Sequence, residues 1–100
     1  MTNAAGKRII EVLRIEITGE PNSITQRTNS KGGIDRNYYG NDGRQIKQVS
    51  NNNHGKPKVH PFGKHGEHAH DYTYDENGNL IRHEARDLNV EEREENSDIL

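Results

Sequence analysis

Cysteine and tryptophan are missing from this 100-residue chain, and phenylalanine and methionine occur once each. Without cysteine there is no disulfide framework, no thiolate nucleophile and no thiolate zinc site. Apolar residues make up 27% of the sequence and charged residues 30%, which leans toward the composition of disordered chains. The apolar residues nevertheless gather in short runs, so the expectation is a single small domain over 1–100 with its core within about 8–96. A core that thin needs help from a metal or a partner. No apolar run is long enough to span a bilayer, and the N-terminus lacks the apolar stretch of a signal peptide. The expected setting is cytoplasmic, with no membrane partner.

Charge is unevenly placed. Residues 1–66 hold 11 Lys/Arg against 5 Asp/Glu, whereas 67–100 hold 3 against 11, so the parts carry +6 and −8. A basic first part suits RNA or another acidic polymer, and the competing reading is mutual neutralisation across the fold.

Period-two alternation predicts strands over Ile9–Ile17, Ile34–Tyr39, Ile46–Ser50, Glu67–Tyr74 and Leu80–Glu84. Asn41-Asp42-Gly43 and Asn77-Gly78 are hairpin turns. Gly19–Ser30 reads as a turn-rich connection with Ile24 as its one core candidate. Asn89 is an N-cap for a short acidic helix over Val90–Asn96. The predicted fold class is α+β: a small antiparallel sheet built from hairpins, a short C-terminal helix, and a long His-rich loop over Asn51–Gly66.

That loop and the strand after it hold five of the six histidines: His54, His60, His65, His68 and His70. Alternation puts His68, His70, Tyr72 and Tyr74 on one strand face, with Glu67, Ala69, Asp71 and Thr73 on the other. Two chemistries suit this pattern. Imidazoles titrate near neutral pH, so a pair can exchange protons with a phosphodiester and its leaving group without a metal. A cation must then hold the phosphate, and Arg36, Lys56, Lys58 and Lys64 are candidates, with Tyr38 and Tyr39 to stack bases. Alternatively, His68-x-His70 chelates zinc with a third ligand from the loop, His65 or His60, the set taken being His65, His68 and His70. Asp71 or Glu67 would orient a ligand from behind. The bland alternative is that the histidines bond loop backbone in place of a core.

Gly-x-Pro-Asn-Ser (Gly19–Ser23), Arg-Asn-Tyr-Tyr-Gly-Asn-Asp-Gly (Arg36–Gly43), Asn-His-Gly-Lys-Pro-Lys (Asn53–Lys58) and His-x-His (His68–His70) resemble the C-terminal toxin-type domains of bacterial polymorphic toxins. Similar segments occur in phage and prophage proteins. The resemblance runs from about Gly19 to Arg82. It implies a β-rich or α+β domain that cleaves nucleic acid, with RNA as substrate and the host cytoplasm as setting. Carried onto this sequence, it points to Arg36, His54, His68 and His70, and then His60, as catalytic. It also implies a cognate inhibitor as partner. The leading expectation is therefore a metal-independent ribonuclease with no cofactor. The alternatives are a His-ligated zinc module, or a phage-type inhibitor that engages a host defence nuclease through the acidic Glu91–Glu95 run.

Overall fold

The computed structural model describes residues 1–58 and 60–100. Six strands form one sheet in chain order: β1 (Ile10–Glu11), β2 (Ile24–Thr28), β3 (Ile34–Tyr39), β4 (Gln45–Ser50), β5 (His68–Tyr74) and β6 (Leu80–Arg82). One helix, α1 (Val90–Glu95), follows. All neighbouring pairs are antiparallel except β1 with β2, which is parallel. The α+β class and hairpin-built sheet agree with the alternation in the sequence.

Two N-terminal expectations change. Of the strand expected over Ile9–Ile17, only Ile10–Glu11 pairs as a strand. Leu13 and Ile17 are exposed, so their alternation marks no buried face. Conversely, Ile24–Thr28, read as connection, is a strand between β1 and β3. Its Ile-Thr-Gln-Arg-Thr alternation is real, with Ile24 and Gln26 buried and Arg27 exposed. Turn formers on both sides disguised it.

Turn chemistry sets the register. Gly43 has φ +79°, and a Cβ there would lie 2.7 Å from the Gly19 carbonyl oxygen. Only glycine suits both the left-handed conformation and that approach. The Gly19 N–H donates to the Gly43 carbonyl at 2.8 Å, tying the N-terminal segment to the β3–β4 hairpin.

The sheet has two unlike faces. On one, Ile24, Tyr38, Val49 and Ala69 join Ile9 and Leu88 in the apolar core, which α1 closes by polar contacts. Tyr38 donates to Glu95 at 2.8 Å, and the Asn96 amide donates to the Tyr38 hydroxyl at 3.0 Å. Arg86 spans Asp71 and Glu92 with paired hydrogen bonds to each. On the other face, strand alternation and the β3–β4–β5 register bring Asp35, Ser50, Gln48, His68 and His70 together. The described part of the 51–67 connection, made of turns and irregular chain, supplies His60 against them.

Candidate metal centre

His68 and His70 point from the same face of β5 because they are two residues apart on an extended chain. His60 comes from the connection, whose path is held by a close approach at Gly66. That residue has φ +76°, and a Cβ there would fall 2.2 Å from the Asn53 Cβ and 2.8 Å from the His60 carbonyl. The consequence is a packed cluster of rings. His60 stacks on His68 with centroids 4.0 Å apart, and His70 stands edge-on to both at 5.8 and 5.2 Å. The three residues are 7%, 0% and 6% exposed.

The hydrogen bonds decide which nitrogens are free. His68 Nδ1 lies 2.8 Å from the Gly66 carbonyl, and His70 Nδ1 lies 2.8 Å from the His83 carbonyl. A carbonyl only accepts, so each Nδ1 carries the proton and donates it. In the neutral rings Nε2 is then a bare lone pair. His68 Nε2, His70 Nε2 and His60 Nδ1 are buried with no hydrogen-bond partner among the described residues. One nitrogen from each ring lies within 4.8 Å of the others.

Electrostatics keep the rings neutral. Burial lowers the His60 pKa to about 4, and the neighbouring His68, His54 and His70 push the same way. Burial also lowers His68 and His70, against the opposing pull of the Gly66 and His83 carbonyls. Neutral imidazole with a fixed tautomer is the metal-ligating form.

No protein-family model, curated protein or solved structure matches this chain. Its chemistry has to be read from its own residues.

The remaining expected site residues go elsewhere. Arg36 is on the opposite sheet face, 1% exposed, and bonds Gln26, Asn96 and Asp98. The structure does not bring it to the histidines, because residues 36 and 35 of an extended strand face opposite ways and Asp35 holds the histidine side. Tyr38 and Tyr39 are buried, their hydroxyls on Glu95 and the Glu16 carbonyl, which leaves no open ring face for a base. His65 is exposed and outside the triad, its backbone N–H on Glu67. Glu67 and Asp71 do not back the ligands; they bond Arg93 and Arg86 on the helix side. Lys56, Lys58 and Lys64 stay exposed. His54 touches the cluster, its ring centroid 5.1 Å from His68 and 5.5 Å from His60. His83 is remote as a side chain, but its carbonyl sets the His70 tautomer, a role no side-chain motif could reveal.

Of the acidic run, Glu92 and Glu95 are buried, Glu92 against Arg86 and Lys47 and Glu95 against Lys7. Only Glu91 and Glu94 face solvent as the phosphate-mimicking surface would require. No helix among the described residues is long and apolar enough to cross a membrane.

Proposed function

We propose that this chain is a metal-binding domain that takes up one zinc-class ion through His60 Nδ1, His68 Nε2 and His70 Nε2. Two observations carry this: the three buried histidines each offer a ring nitrogen within 4.8 Å of the others, and each has a buried ring nitrogen with no partner among the described residues. Each such atom left unsatisfied costs roughly 1–3 kcal/mol, and an ion would remove that cost at all three. Three neutral nitrogens suit zinc, copper, nickel or iron rather than calcium or magnesium, which prefer oxygen.

Tetrahedral zinc at about 2.0–2.1 Å from each nitrogen sets ligand nitrogens about 3.4 Å apart. Ring nitrogens already within 4.8 Å of one another need only small ring adjustments to reach that spacing. The ion would also tie the 51–67 connection to β5, supplying on this face the cohesion that ion pairs supply on the other. Three protein ligands leave a fourth position for water or substrate, the arrangement of catalytic rather than closed structural sites. Nucleic-acid cleavage, which the resemblance implies, would then pass through a bound ion. Free acid–base work by His68 and His70 fits less well, because both Nδ1 atoms are engaged and both rings are buried.

Tag-free protein stripped with a chelator and titrated with zinc or cobalt(II) tests the reading. One ion per chain is expected, with the visible absorption of tetrahedral cobalt. Folded protein that takes up no stoichiometric ion would refute it. RNA incubated with the zinc-loaded and the stripped protein separates metal-dependent cleavage from metal-free cleavage and from none.

A further inference from the structure

A cleft of about 500 Å³ opens between the 29–33 turn and the 52–55 turn, with His54 in its wall. His54 thus belongs both to this cleft and to the ring cluster. It also holds a left-handed backbone, φ +55°, that a side chain rarely adopts.

The lining is rich in donors. Asn29 Oδ1 accepts from the Lys31 and Gly33 N–H groups, and Asn52 Oδ1 accepts from the His54 N–H. With both oxygens engaged, the two amide nitrogens remain as donors, and both lie close to Gly33. A Cβ built on Gly33 would lie 2.6 Å from Asn29 Nδ2 and 2.7 Å from Asn52 Nδ2. The two amides thus pack directly on Gly33, and only glycine lets both close over the turn in the wall of the cleft. Asn52 Nδ2 spends one hydrogen on Asn51 Oδ1, and Asn29 Nδ2 has no partner among the described residues. Lys31 adds a positive charge, and no carboxylate among the described residues lines the cleft. The nearby acid is Asp35, whose Oδ1 is 3.7 Å from His54 Nε2 and takes the Ser50 hydroxyl at 2.6 Å.

We propose that this cleft binds a phosphate ester, with its phosphoryl oxygens on Asn29 Nδ2, Asn52 Nδ2 and the Lys31 ammonium. Donors arriving from several directions suit a tetrahedral anion better than a planar carboxylate. The volume exceeds what a bare ion needs and falls in the range of small-molecule sites, leaving room for the organic part of the ester. The site stands without the metal, although His54 would bring its ligand beside the metal centre.

Full-length zinc-loaded and zinc-free protein should be titrated with inorganic phosphate, adenosine 5′-monophosphate and a single-stranded RNA tetranucleotide. Binding of at least one probe is expected in both forms. Lys31→Ala and Gly33→Ala should each weaken it roughly tenfold or more, with zinc affinity unchanged. Gly33 lacks a left-handed φ, so alanine there adds a methyl without backbone strain; Lys31 is exposed, so its truncation leaves the fold intact. RNA binding tighter than the mononucleotide identifies a polymer phosphodiester, and equal binding a small ester. The proposal is overturned if the folded wild type binds none of the probes, or if neither variant weakens binding. A failed zinc titration with anion binding intact would remove the metal reading alone.

Discussion

Truncating one imidazole at a time distinguishes the ligands from the histidines beside them. Alanine at His60, His68 or His70 should lower zinc affinity more than about 100-fold, beyond the usual loss from removing an outer partner. His65→Ala should leave it unchanged, because His65 lies outside the converging set. Competition with a chromophoric chelator reads both. The same rings set the acid sensitivity of the metal-free protein. Their folded pKa values lie below the unfolded value near 6.5, His60 at about 4. Below pH 6.5 the unfolded chain gains protons that the folded chain refuses, so stability should fall from pH 6.5 toward pH 4 and be flat from 7 to 8. Urea midpoints across that range check it, and a midpoint that rises on acidification would contradict it. The side-by-side placement of His68 and His70 was legible from alternation alone. The choice of His60 over His65 was not, because it depends on how Gly66 folds the connection back.

The helix shows how an element can be legible while the purpose of its residues is not. Asn89 caps α1 with a reciprocal box: its side chain accepts from the Glu92 N–H at 2.8 Å, and its own N–H donates to Glu92 at 3.0 Å. Asn89→Ala should cost about 1 kcal/mol in urea unfolding. Glu92 does more than cap. Burial raises its pKa, but Arg86, the Asn89 N–H and Lys47 outweigh that and bring it to about 2. Its contribution is complete above the unfolded value near 4.5 and is lost as pH falls through about 2. Glu92→Gln leaves Arg86 and Lys47 short of one buried carboxylate and should cost about 3 kcal/mol at pH 7. A cost under about 0.5 kcal/mol would show the cluster to be surface decoration. Sequence spacing gave the cap and the helix bounds to within a residue. It offered the Glu91–Glu95 run only as an acidic surface, because nothing local announces that Arg86, paired across to Ala69, will sit beneath it.

For the molecule as a whole, the two sheet faces are closed by different means: permanent charges under α1, and a cluster of buried imidazoles with unpartnered nitrogens beneath the described part of the 51–67 connection. Trypsin should therefore cut metal-free protein first after Lys64, which is exposed there, whereas Pro57 blocks cleavage after Lys56. Zinc should slow that cut at least tenfold while leaving cleavage at Arg8 and Arg27 unaltered; equal protection everywhere would point to global stabilisation instead. The β3–β4 and β5–β6 hairpins were readable because turn residues punctuate them at Gly43 and Gly78, whereas the place of β2 and its parallel pairing with β1 were not. The fate of Arg36 was not, since its partners Asn96 and Asp98 lie 60 and 62 residues away. β5 takes part in both halves, presenting Ala69 and Asp71 to one side and His68 and His70 to the other. That pleat makes the two sides mutationally separable. Substitutions under the helix and substitutions around the rings should add within about 0.5 kcal/mol, so each side is free to drift, or be redesigned, without renegotiating with the other.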